Sequence, residues 1–137
     1  MKTITVPSDK ERLYQVQEFV EECLSGCGAS SKTLLQLQLV VEEIFVNIAN
    51  YAYHPHGSGD VDISCDVVGD RMKVVITFTD EGPEFDPLER EDPDTTLGAD
   101  ERPIGGLGIY LVKNTVDGIS YRRENGRNIL TVEKELS

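Results

Sequence analysis

The chain has 137 residues, 39% hydrophobic and 28% charged, the profile of one globular domain with a single core. No apolar run approaches the roughly 18 residues of a membrane span. The opening MKTITVPSDKERL lacks the apolar centre of a signal peptide, so a cytoplasmic protein is expected. A net charge of −12 argues against nucleic acid and anionic membranes, which need clustered Lys and Arg, and leaves solubility or a basic protein partner as its meaning.

In chain order, residues 2–6 (KTITV) alternate as a half-buried strand does, and Pro7 ends them. Ser8 is expected to open a helix, with Glu11 completing a capping box and Leu13, Val16, Val20, Cys23 and Leu24 forming the apolar stripe. Gly26 and Gly28 stop it. A second helix is expected from Ser30 or Ser31 to about Tyr53, where HPHGSG breaks it. DVDISCDV alternates strictly, with Val61, Ile63, Cys65 and Val67 on one face and Asp60, Asp62, Ser64 and Asp66 on the other. Gly69-Asp70 turns it into RMKVVITFTD, which predicts antiparallel strands over 60–68 and 71–79.

Residues 81–103 hold four prolines, several acids and no apolar period. A loop of that length in a compact domain is usually a functional lid. A short helix from about Gly106 to Asp117, strand ISYRR, the turn Asn125-Gly126 and strand RNILTVEKEL complete the chain. The sum is an α+β two-layer sandwich in one domain, with about five strands in a mixed, mostly antiparallel sheet and three helices on one face. Cys23, Cys27 and Cys65 have no metal-type spacing and read as reduced thiols.

Three constellations could carry chemistry. On the second helix Glu43, Asn47, Asn50 and His54 fall within about 60° of one another at 100° per residue, with Tyr51 beside them. Glu and Asn four apart offer oxygen ligands for a hard ion, or a base beside a ligand; the same stripe would also suit an exposed helix side. TDEGPEFDP, residues 79–87, puts Asp80 at a strand end before Gly82, where a carboxylate can meet a ligand edge, or where an acidic turn would stand. RPIGGLGIYLV, residues 102–112, leads glycines into a helix N-terminus, which suits a phosphate or a simple hinge. It is neither a Walker A loop nor a dinucleotide fingerprint. His54 and His56 flank Pro55 without a third metal ligand nearby.

Taken in order, EEIFVNIANYAY, DEGPEFDP and GGLGIYLV resemble the N-box and two glycine boxes of the GHKL ATPase superfamily, whose ATP-binding unit is the Bergerat fold. The Phe-Asp-Pro and the short single-domain length are similar to the anti-sigma regulatory factors, serine/threonine protein kinases of bacterial partner-switching systems. The resemblance covers essentially the whole chain. It implies Mg2+ on the side-chain oxygen of Asn47 and Glu43 as general base toward an acceptor hydroxyl. It implies Asp80 on the adenine amino group, with Gly82 letting the base approach, and Asn50 and Tyr51 facing the phosphates. Gly105, Gly106, Leu107 and Gly108 would wrap the phosphates, Arg102 would reach the terminal one, and a lid over about 81–105 would close over ATP.

Two positions depart from the pattern. Asn128 stands where many relatives use a threonine to hold the adenine, and Tyr51 replaces a common histidine or lysine. The implied function is a Mg-ATP-dependent kinase and anti-sigma factor acting on a STAS-type antagonist. A sigma factor is a further implied partner, and dimers are usual among similar proteins. A non-catalytic, ATP-gated binding module is the alternative, and an interaction domain that has lost ATP a third. The histidine-kinase branch is not expected, because no helical dimerisation segment with a phospho-accepting histidine is seen.

Overall fold

The computed structural model describes residues 2–51, 59–69, 73–89 and 106–136. His54, His56, Arg102, Gly105 and most of the expected lid lie outside the described residues, as does the end of the second helix beyond Tyr51.

The described strands are β1 (Lys2–Pro7), β2 (Asp60–Val68), β3 (Lys73–Asp80), β4 (Gly118–Glu124) and β5 (Arg127–Glu135). The α-helices are α1 (Leu13–Leu24), α2 (Ser31–Tyr51) and α3 (Gly106–Thr115), with single 3-10 turns at Lys10–Arg12 and Pro87–Glu89. The sheet order is β1-β2-β3-β5-β4, and all four pairings are antiparallel. The expected mixed sheet is therefore corrected. The connection through α3 returns β4 in the direction of β3, but β5 inserts between them, so the parallel pair never forms a ladder.

Alternation decides which face is covered. Val61, Ile63 and Cys65 of β2, Val74, Ile76 and Phe78 of β3, and Leu130 and Val132 of β5 are buried together with helix residues. Fully burying one such side chain stabilises by about 1.5–3 kcal/mol. The intervening Thr77, Thr79 and Thr131 stay half-buried on the other face. From α2, Leu37, Val41, Ile44 and Phe45 reach 0% exposure and supply the centre of the core. Its start is capped as Ser30 suggested: the Ser30 hydroxyl accepts from the Thr33 amide at 3.1 Å.

The start of α1 corrects the expected capping box. Asp9, not Ser8, caps the opening 3-10 turn, accepting from the Glu11 amide at 3.0 Å. Ser8 instead prolongs the β1–β2 ladder: its amide donates to the Gly59 carbonyl at 2.8 Å and its hydroxyl accepts from the Gly59 amide at 3.3 Å. At Asn125-Gly126 both residues have positive φ, 52° and 77°, the geometry that matches strand twist in a two-residue hairpin. Among the described residues no helix is long and apolar enough to cross a membrane.

Candidate functional site

The sheet's last inward row carries polar side chains where the rows beneath are apolar. Register places Asp80 opposite Asn128, and Asn128 opposite Arg123, one step beyond the row of Phe78, Leu130 and Tyr121. Asp80 and Asn128 are each only 5% exposed, so their polar atoms need partners.

They find them in one network. Asp80 Oδ1 accepts from the Gly82 amide and from Asn128 Nδ2, both at 2.9 Å. Asn128 Nδ2 also donates to the Pro83 carbonyl at 2.9 Å. On its other side, Asn128 Oδ1 accepts from the Tyr121 hydroxyl at 2.5 Å, the Arg123 guanidinium at 3.2 Å and the Phe85 amide at 3.2 Å. Arg123 further donates to the Gly82 carbonyl at 2.7 Å. Asp80 Oδ2 takes no hydrogen bond from the described residues, and Asp80 lines a cleft with Asn47, Ile44, Ile48, Phe78 and Leu130.

Burial pushes the Asp80 carboxyl above its ordinary range, and the bonds from Asn128 and Gly82 and the charge of Arg123 only partly offset it. Desolvation wins over hydrogen bonding here. Burial likewise raises the Tyr121 hydroxyl, which stays a neutral donor. A buried carboxylate with one oxygen committed and the other left to an apolar cleft can accept a hydrogen bond from a ligand N–H.

Glu43 sits one turn before Asn47 on α2 and lines a different groove, with Leu39, Val40, Leu111, Val112 and Thr115. Its Oε2 fills the space that a Cβ at Gly108 would need, with Cδ 3.3 Å from that position. The second glycine box thus lets α3 approach the Glu43 carboxylate. Burial, then the neighbouring Glu42, raises the Glu43 carboxyl above its ordinary range.

The structure therefore brings Asn47, Asp80 and Asn128 around one cleft, ties Gly82 to Asp80, and sets Glu43 against Gly108. Asn50 is half-buried on α2 and lines neither cleft. Tyr51 ends α2, and Gly106 and Leu107 open α3. Among the described residues no group of three His, Cys, Asp or Glu is placed to hold a metal. The side-chain oxygen of Asn47 is a donor of the kind Mg2+ takes, since that ion typically binds one or two protein oxygens and completes its shell with water and phosphate.

Tyr121 and Arg123 were not among the expected site residues. The Asn125-Gly126 turn held the signal. Counting back from a two-residue hairpin pairs Arg123 with Asn128 and sends both side chains to the covered face.

The profile of the histidine kinase-like ATPase domain matches residues 6–134. The chain is similar to the serine-protein kinase RsbW of Oceanobacillus iheyensis, 28% identical over 130 residues, 91% of this chain and 80% of that protein. It is similar to RsbW of Bacillus subtilis at 27% over 127 residues, 88% of this chain and 77% of the relative. The serine/threonine-protein kinase BtrW of Bordetella bronchiseptica is 26% identical over 103 residues, 75% of this chain and 71% of BtrW. A solved structure of the RsbU and RsbW domains of a Mycobacterium tuberculosis protein superposes with a TM-score of 0.67 at 14% identity, a likeness of fold. It covers 99% of this chain and 33% of the mycobacterial one.

Proposed function

The chain belongs to the histidine kinase-like ATPase domain family, and we propose that it is a Mg-ATP-dependent serine/threonine protein kinase and anti-sigma factor. Residues 1–137 act as one such domain, with the lid at about 81–105. Its substrate is a small STAS-type antagonist protein, and a sigma factor is the partner held in the alternate state. The reading places it in the cytoplasm and is compatible with a homodimer.

One observation carries the kinase reading: the Glu43 carboxylate lies against Gly108 in the first turn of α3, one helical turn from Asn47 at the Asp80 cleft. In this reading Asp80 Oδ2 accepts from the exocyclic amine of adenine, while Gly82 and Asn128 hold Oδ1. Phe85 and Pro87 line the cleft and leave about 20 Å³, well below the roughly 300 Å³ of a small ligand site. Entry of the base therefore moves the Phe85 and Pro87 side chains aside, while the backbone bonds of Gly82, Pro83 and Phe85 to Asp80 and Asn128 hold.

The free amides at Gly106, Leu107 and Gly108 face phosphate oxygens, as the start of a helix favours. Asn50, Tyr51, Gly105 and the lid residue Arg102 complete the phosphate environment. Asn47 would hold Mg2+, which when bound neutralises phosphate charge. Glu43 takes the proton of the acceptor hydroxyl. Its raised pKa brings it nearer neutrality, where a general base works best. Positioning and charge stabilisation supply most of what phosphoryl transfer needs.

The departures at Tyr51 and Asn128 favour a second reading, a non-catalytic module in which ATP gates partner choice. Incubation with ATP labelled at the γ-phosphate and the genomically neighbouring antagonist separates the two. The kinase reading expects phosphoserine or phosphothreonine on the antagonist; ATP binding without label transfer supports the gated module.

A further inference from the structure

The hydrogen bonds around Asn128 fix more than a fold. Its Oδ1 faces donors alone, the Phe85 amide and the Arg123 guanidinium, together with the Tyr121 hydroxyl. Its Nδ2 faces acceptors alone: Asp80 Oδ1, the Pro83 carbonyl and, at 3.5 Å, the Gly82 carbonyl. Turning the amide over would set acceptor against acceptor and donor against donor, so its orientation is determined by its surroundings. Both Nδ2 hydrogens are spent on the protein. Asn128 therefore offers a base no donor, and Asp80 Oδ2 is the one polar atom of this pair left to read it.

Arg123 is the only charged member on the donor side. It bridges two of the groups that frame Asp80, donating to Asn128 Oδ1 and to the Gly82 carbonyl. It reaches them from the edge strand β4, so it acts on the base only through other residues.

We propose that Arg123, helped by Tyr121, is the positioning residue that sets base selectivity here: it clamps Asn128 and Gly82 so that Asp80 presents a single acceptor, selecting a purine with an exocyclic 6-amino group over one with a 6-oxo group. A 6-oxo oxygen would face the carboxylate oxygen, and a site built around a buried acceptor rejects such a group strongly. Without the clamp Asp80 can turn and the penalty on the 6-oxo base shrinks. The inference rests on the nucleotide-binding reading above and adds the residues that hold its acceptor in place.

Calorimetric titration of the full chain with Mg-ATP and with Mg-inosine triphosphate tests it. The wild-type protein is expected to favour ATP at least about tenfold. Arg123→Met should reduce that ratio about fivefold or more, and Arg123→Lys, which keeps a cationic donor, should restore most of it. A merely structural loss would weaken both nucleotides equally, and an unchanged ratio in Arg123→Met overturns the proposal. Should Arg123→Met fail to fold, Tyr121→Phe removes only the hydroxyl bond to Asn128. A reduced ratio there supports the clamp and an unchanged one overturns it. A wild-type chain that binds neither nucleotide overturns the nucleotide reading and this inference with it. Tight ATP binding with no preference over inosine triphosphate overturns the inference alone.

Discussion

The Asp80 cleft and the Glu43 groove lie one turn apart along α2, yet they are built in opposite ways. On the sheet side, Asp80 Oδ1 and both ends of the Asn128 amide are bonded within the protein, through Gly82, Pro83, Phe85, Tyr121 and Arg123. At the other end, Glu43, Asn47 and Asn50 form no side-chain hydrogen bonds with one another, and Glu43 merely packs against Gly108. A rigid, prepaid network suits recognition of a fixed shape such as a base. A set of open oxygens suits a site that metal, water and phosphate must complete. The contrast separates a binding network built on the sheet from a chemical face built on α2.

The largest expected effect falls on chemistry. Glu43→Gln should lower phosphoryl transfer by about 100-fold or more, the usual contribution of a general base, while the Mg-ATP dissociation constant stays within about threefold. Measuring label transfer beside calorimetric binding checks both halves. Because burial raises the Glu43 carboxyl, transfer should also fall on acidification at a pH above the ordinary carboxylate range, as the base becomes protonated.

Asp80→Asn should do the reverse. Loss of a hydrogen bond to a charged acceptor, about 1.5–3 kcal/mol, predicts ATP binding weaker by about 10- to 150-fold. Stability should not fall. The folded-state pKa of Asp80 lies above the unfolded value, so the folded chain binds the proton more tightly. Stability therefore declines as pH rises through that window, and at neutral pH the ionised group is a cost. The amide keeps an oxygen for Gly82 and Asn128, so the melting temperature should hold or rise while binding is lost.

Gly108→Ala sharpens the Glu43 side. The new methyl would take the space of the Glu43 carboxylate, the free end of a flexible side chain that can swing away. Helix propensity favours Ala by about 1 kcal/mol, so stability measured by denaturant should change by no more than about that amount. Transfer should drop about tenfold because the base has moved. Smallest is Ser30→Ala, which removes the α2 cap and should cost about 1 kcal/mol of stability with ATP affinity unchanged.

Much of the fold was legible because local period and long-range burial agree in β2, β3 and α2. Strict alternation from Val61 to Val67 and the Asn125-Gly126 turn both hold as expected. Ser8 misled because its partner, Gly59, is 51 residues away, outside any local window. The sheet's mixed character misled because strand direction was inferred without knowing that β5 inserts beside β3. In the site, Asp80 and Asn47 stood out by their place at a strand end and on a helix stripe. Arg123 and Tyr121 did not, since an arginine and a tyrosine on an edge strand gain meaning only when its register against β5 puts them beside Asn128. Asn128, which stands where relatives hold the adenine, bonds Asp80 and Pro83 in the structure.

The most direct test of a binding network on the sheet and a chemical face on α2 is the rise in melting temperature that Mg-ATP, at a hundredfold excess over the wild-type Kd, gives to three proteins side by side. A ligand bound only by the folded state stabilises by RT ln(1 + [L]/Kd), about 2.7 kcal/mol at a hundredfold excess over Kd. At the same nucleotide concentration the account predicts this full rise for the wild type and for Glu43→Gln, and about half of it or less for Asp80→Asn. An equal rise in all three, or its loss in Glu43→Gln with retention in Asp80→Asn, would contradict it.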